Sequence, residues 1–228
     1  MRFWGSAIVL VMVASAAHAA SDKPILAPPP DWVKPASLPA DTAAKGDAPI
    51  RILLQDQQVH FADGVTTNYT ESAYRIQTAQ GMAAGTISFP WNPELSSLIV
   101  HKLQIRRGDK VIDVLANQQF TVLRREQNLE NAMLDGVLTA TIQPEGLQVG
   151  DILDFAVSIT RADPALKGHY ESVAGGWGIL PSAAVRFSAD WPQGTVMQTR
   201  ERGGGARLGI AGRSGDTGNL GIERCTGG

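Results

Sequence analysis

Three histidines, one cysteine and a cluster of carboxylates are the residues on which chemistry would have to rest. Beyond the first nineteen positions the histidines are His60, His101 and His169. Metal binding asks for ligands presented together, as His-x-x-x-His or Cys-x-x-Cys spacing does, and none of the three lies in such a pattern. A thiol enzyme needs a histidine near its cysteine and surroundings that lower the thiol pKa. Cys225 has glycines around it and no histidine after it, so it reads as an incidental free thiol. In Leu123–Gly136, "LRREQNLENAMLDG", Glu126 and Glu130 are four residues apart. Acid–base catalysis by such a pair requires unequal environments that separate the two pKa values, and nothing in the stretch supplies them. Arg124, Arg125, Glu126 and Glu130 read instead as surface charges that pair along a connection, worth about 0–1 kcal/mol a pair. The aromatics Trp91, Tyr170 and Trp177 are the candidates for ligand contact, and no residue is assigned a catalytic, cofactor or metal role.

The elements that must position these residues are strands. In "DILDFAVSIT", Leu153, Phe155, Val157 and Ile159 fall on one face and Asp154, Ala156, Ser158 and Thr160 on the other, the period of two of a strand with one buried face. "SLIVHKLQIRRGDKVIDVL" reads as a hairpin turning at Gly108-Asp109, with Ile99, His101, Leu103 and Ile105 on one face. His101 is then a half-buried histidine with a backbone partner. His60, between Val59 and Phe61, faces water, and His169 sits on an exposed loop after the longest strand. Further strands are expected at 50–54, 58–61, 73–78, 86–89, 120–124, 137–142, 184–191 and 195–199. About eight to eleven short strands with frequent turn residues predict an all-β fold, an antiparallel β-sandwich. Gly81 and Gly85 keep "TESAYRIQTAQGMAA" to a helical turn or two.

The two ends differ from the middle. Residues 1–19 combine a basic start, an apolar run of about a dozen residues and the small-x-small Ala17-His18-Ala19, the pattern of a secretory signal peptide. The run is shorter than the roughly 20 residues that span a bilayer, and no stop-transfer segment follows, so the mature chain is expected without a membrane span, in the periplasm or secreted. Removing Arg2 leaves 19 Lys+Arg against 22 Asp+Glu, a net charge near −3. That balance argues against nucleic acid, whose affinity comes from clustered positive charge. Residues 20–49 carry closely spaced prolines and read as an extended, solvated linker or arm. The β domain is placed at 50–200. Residues 201–228 are glycine-dense and expected to be disordered, the composition shift fitting a reading-frame change or a truncation. One cysteine excludes a disulfide within the chain.

Four blocks carry a resemblance: "YRIQT", "FPWNPELSSLIVHKLQIRRGDKVIDV", "LRREQNLENAMLDG" and "LQVGDILDFAVSIT". In that order and spacing, over roughly Ile50 to Arg200, they resemble the DUF3857 domain of exported bacterial proteins. By match to the family pattern, Arg107-Gly108-Asp109 is a hairpin, Arg125-Glu126 to Leu129-Glu130 a polar connection, and Val149-Gly150-Asp151 the turn before the longest strand. The resemblance implies an all-β domain that commonly precedes a transglutaminase-like domain, with no catalytic role for these residues. Such a chain is expected to be an exported, non-catalytic module, accessory to a transglutaminase-like envelope protein or a truncated remnant of one. The alternatives are a periplasmic peptide- or glycan-binding module and an independent hydrolase with His169 as base. A β domain lacking its last strands would leave an edge open to strand addition by a partner.

Overall fold

The computed structural model describes residues 21–41, 47–124, 136–173 and 182–198, and the backbone of 217–225. The described strands are β1 (Ile25–Leu26), β2 (Ile50–Ala62), β3 (Val65–Ile76), β4 (Ile87–Trp91), β5 (Ser96–Arg107), β6 (Lys110–Asp113), β7 (Thr121–Arg124), β8 (Leu138–Ile142), β9 (Ile152–Arg161), β10 (Ser182–Pro192) and β11 (Thr217–Cys225). They form a large sheet in the order β1-β5-β9-β3-β2-β10-β11, with β6 also on β5, and a small sheet β4-β8-β7. Described helix is confined to 3-10 turns at Gln80–Gly85 and Pro164–Leu166.

The long hairpin β2–β3 is the backbone of the large sheet. Its turn is Asp63-Gly64, both with positive φ (51° and 75°), the left-handed pair that a two-residue hairpin turn demands and that Asp-Gly supplies. The strands expected at 50–54 and 58–61 are thus one element: Gln55, Asp56 and Gln57 pair with Ser72, Glu71 and Thr70 without a break, and the irregularity lies earlier, a bulge between Ile52 and Leu54. The Gly108-Asp109 hairpin forms as expected, pairing β5 with β6. No strand forms at 195–198: Gly194 (φ 82°) turns the chain after Pro192, and Thr195 N–H donates back to the Pro192 carbonyl.

The small sheet covers one face of the large one. Leu98, Val100, Leu103, Ile105, Leu153 and Val157 from the large sheet meet Ile87, Trp91, Leu138, Ala140 and Ile142 from the small. Along β9 the two faces divide as the alternation predicts. Along β5 they do not, because a second bulge between Val100 and Lys102 shifts the parity. Leu98 and Val100 therefore share the core face with Leu103 and Ile105, while Ile99 and His101 belong to the opposite face. A satellite core of Val59, Phe61, Phe187 and Ala189 continues this layer under β2 and β10, closed by Tyr170, Trp191 and Met197.

The sheet is mixed rather than purely antiparallel. β10 pairs with β2 in parallel, and β1 with β5. Parallel pairing needs a crossover of a dozen or more residues, and the chain between Arg161 and Ser182 provides it by passing from β9 to the far side of β2.

Both ends join the large sheet. β1 lies on β5, and β11 pairs antiparallel with β10 from Thr217 to Cys225. The tail over 201–228, expected to be disordered, contributes this strand. Backbone pairing along an existing edge depends little on side-chain composition, which is why glycine content misleads here.

Two of the sequence blocks meet in space. Arg107, beside the β5–β6 turn, donates to both carboxylate oxygens of Asp151 at 2.8 and 2.7 Å, and Gln148 N–H adds a third bond. Burial pushes the Asp151 carboxyl up, but these bonds outweigh it and hold it below the usual carboxylate range.

Leu153 is fully buried at the centre of the main core. Leu153→Ala is expected to destabilise the domain by about 2–5 kcal/mol, read as a lower urea midpoint at unchanged slope.

Candidate functional site

The face of the large sheet turned away from the small one is built of charge. One row of paired residues crosses five strands: Lys102 of β5 opposite Ala156 of β9, Ala156 opposite Glu71 of β3, Glu71 opposite Asp56 of β2, and Asp56 opposite Arg186 of β10. Asp154 lies on the same face of β9. Lys102 Nζ contacts Glu71 at 2.6 Å and Asp154 at 2.7 Å, and Arg106 reaches the other Asp154 oxygen at 2.9 Å. Arg186 grips both oxygens of Asp56, at 2.8 and 2.7 Å. Three cations thus face three carboxylates, and Asp56 and Asp154 are each only 1% exposed. Removing ions from water costs several kcal/mol apiece unless close partners compensate, so balance is a condition of burying them. Tyr69 O–H donates to Glu71, and burial, with the Glu71, Asp56 and Asp154 charges, drives its pKa far up.

The proline-rich arm turns at Asp31-Trp32, where Val33 N–H donates to the Pro30 carbonyl at 3.0 Å, and its described part lies on this face rather than in solvent. Val33 is buried against Tyr69 and Ala156. Trp32 stacks on the His60 ring, centroids 4.9 Å apart and planes 11° from parallel. Gln58 Oε1 accepts from Lys34 N–H at 2.9 Å, and Gln58 Nε2 donates to the Lys34 carbonyl at 2.7 Å and to Asp56 at 2.8 Å. Arg186 donates to the carbonyls of Lys34 and Pro35. Further along, Asp41 pairs with Arg75 and with Arg51. Prolines remove donors and favour extended backbone, which suits a segment held through its carbonyls.

His60, expected to face water, is half-buried beneath Trp32, with Nδ1 2.5 Å from Asp190. A carboxylate orients an imidazole for base catalysis when the ring also meets a nucleophile. Here the face of the ring is occupied by Trp32. His101, expected to be half-buried with a backbone partner, has one: Nδ1 lies 2.9 Å from the Ala27 carbonyl and Nε2 2.7 Å from Ser158 Oγ. The Ala27 carbonyl can only accept, so Nδ1 carries the proton. Burial lowers the His101 pKa, partly offset by the carbonyls of Ala27 and Pro28.

The expected ligand contacts scatter. Trp91 is 3% exposed within the core, its indole N–H donating to the Ser21 carbonyl at 3.1 Å, so it presents no contact surface. Tyr170 packs on Phe61 and its hydroxyl accepts from Gly64 N–H. His169 is exposed, after the 3-10 turn. Trp177 and residues 125–135 of the charged stretch lie outside the described residues, although β7 and β8 on either side pair as expected, Arg124 opposite Leu138. Among the described residues no group of three or more His, Cys, Asp or Glu is placed to hold a metal, and no helix is long and apolar enough to cross a membrane. Sequence reading missed Asp56, Gln58, Glu71, Lys102 and Arg186. A signal was present in β10, where Arg186 lies on the second face of a strand whose first face holds Val185, Phe187 and Ala189, but not in β3, whose two faces both carry polar residues.

Asp56→Ala strands Arg186 in a buried position and is expected to cost about 3–5 kcal/mol, whereas the double change Asp56→Leu/Arg186→Met recovers most of it; chemical denaturation of the three chains distinguishes the outcomes. His101 titrates below its unfolded value of about 6.5. The stability it contributes is therefore complete above that pH and lost as pH falls through the folded pKa. Melts between pH 7 and pH 5 should flatten in His101→Gln, and an unchanged slope would exclude the coupling.

No curated protein matches this sequence. Among solved structures, a crystal structure of a putative protease from Parabacteroides distasonis has the same fold, with a TM-score of 0.63 and 15% identity. The likeness covers 79% of this chain and 36% of that one, so this chain corresponds to little more than a third of that protein's length. Residues 62–219 match the family described as Domain of Unknown Function with solved-structure structure, DUF3857. That match runs from the end of β2 into β11 and takes in Glu71, Lys102, Asp154 and Arg186 of the charged face but not Asp56, and the chain belongs to the DUF3857 family.

Proposed function

We propose that this chain is an exported, non-catalytic β module that holds polypeptide for a larger envelope protein of the transglutaminase- or peptidase-like kind. The observation that carries the reading is the state of the charged face. Its acids and bases are engaged with one another, Asp56 with Arg186 and Asp154 and Glu71 with Lys102, and the arm lies across them. Acid–base catalysis needs a group poised to gain and lose a proton near the working pH, whereas ions locked pairwise hold shape. A fold shared over a third of a longer protein accords with a module, and that protein, a putative protease, supports a peptidase-like context. The resemblance of the four sequence blocks supports a transglutaminase-like one.

Export rests on the signal-peptide pattern of residues 1–19. Cleavage after Ala19 leaves Ser21, whose carbonyl accepts the Trp91 indole N–H, so the mature chain keeps that bond. Expressed with its native start, the protein should be recovered from the envelope or medium with Ala20 as its N-terminal residue by mass spectrometry. A cytosolic chain that retains residues 1–19 would overturn export. Purified protein should show no turnover of peptide or ester substrates, and turnover abolished by His60→Ala or His169→Ala would overturn the non-catalytic reading.

A further inference from the structure

The contacts between the arm and the charged face are of an unusual kind for a structural strap, because most of them ignore which residues the arm contains. Lys34 and Pro35 are exposed, and the contacts described for them are through backbone. The Gln58 carboxamide meets Lys34 with one acceptor and one donor, the pair of bonds an adjacent strand would offer. Arg186 adds donors to two successive carbonyls. Side chains contribute at three places: Val33 fills the space above Tyr69 and Ala156, Trp32 covers His60, and Asp41, further along, pairs with Arg75 and Arg51.

The groups that read the backbone are set in place by the sheet, not by the arm. Asp56 accepts from Gln58 Nε2 and from both Nε and a terminal nitrogen of Arg186, which fixes the carboxamide and the guanidinium together. Asp190 likewise fixes His60. Holding binding groups in position before the ligand arrives reduces the ordering cost of association. Backbone bonds for affinity and one or two side-chain seats for selectivity are also how extended peptides are recognised.

We infer that this face is a peptide-binding groove in which Trp32–Pro35 sits as an internal ligand, and that a segment of another polypeptide, aromatic–aliphatic–any–proline, takes the same place. The inference rests on the reading of the chain as a holding module and names what it holds. It needs no charge on the peptide, because the row beneath is already balanced. An internal ligand competes at an effective concentration that reaches the millimolar range for short tethers, so the groove of the unaltered chain is largely filled.

The test uses the full mature chain and a fluorescein-labelled peptide of residues 30–37, PDWVKPAS. Trp32→Ala/Val33→Asp weakens the arm and should bind the peptide at least ten-fold more tightly than the unaltered chain by fluorescence anisotropy. Adding Gln58→Ala should reduce that binding at least ten-fold, and the peptide with aspartate in place of its valine should not bind. Equal binding by unaltered and arm-weakened chains, or binding indifferent to Gln58→Ala in a chain that still melts cooperatively, would overturn the groove. Should the arm variant not fold, hydrogen exchange on the unaltered chain decides. Excess peptide should speed exchange of the Lys34 amide by displacing it from Gln58, and an unchanged rate would refute the inference. Absence of turnover and presence of export are read separately, so either reading can fail without the other.

Discussion

Six charges on one face of a sheet, the three carboxylates buried and the three cations partly so, each answered by a neighbour, set the terms for the rest of this molecule. Lys102, Arg106 and Arg186 against Glu71, Asp56 and Asp154 form a neutral set. Neutrality alone does not make such a face cheap to bury, since desolvation can exceed the attraction between partners. Remaining donors and acceptors must also be satisfied, and the carbonyls of the arm do part of that. The face requires five strands in fixed register, because each ion finds its partner across a strand boundary.

That requirement explains why the large sheet is mixed. An antiparallel meander would have put β10 beside β9 or β5. Parallel addition next to β2 brings Arg186 opposite Asp56 instead, at the cost of a long crossover. The opposite face answers to simpler rules: apolar side chains from both sheets interlock, and the small sheet covers only the part formed by β5, β9 and β3, leaving Phe61 and Phe187 to a separate cluster under Tyr170. The two faces divide the labour, one burying apolar area and the other specifying register.

Much of the apolar face was legible in the residues. The alternation in β9, the Gly108-Asp109 hairpin and the pairing of β7 with β8 around the charged stretch follow from period and turn chemistry, and the family blocks are the same features seen together. Asp63-Gly64 carried an equally strong turn signal that reading for apolar alternation passed over, since "VTTNYTES" has little of it: β3 carries polar residues on both faces, Glu71 on the charged one and Thr66, Asn68, Thr70 and Ser72 on the other, and it pairs on both sides. The face of His101 was misassigned because a bulge is one extra residue with no sequence mark of its own. Trp91 looked like a contact residue because an aromatic near a Pro-Trp-Asn turn is ambiguous until a second sheet is placed over it. The ionic face was least legible of all. Its members read one at a time as solvated charges, and only register makes them a set. The arm was misread for the same reason, its proline content describing its shape in part but not its location.

The arm's contacts have a consequence for the order of assembly. Arg186 is 152 residues from Lys34 along the chain and 151 from Pro35, and Gln58 and Arg186 are set side by side only when β10 has closed on β2. Contacts so distant in sequence form late, since loop-closure entropy must first be met. The segment synthesised near the start is therefore among the last to find its seat. Until then Trp32 and Val33 remain free for any chaperone that meets them, and a seated arm becomes a certificate that the far end of the sheet is in place.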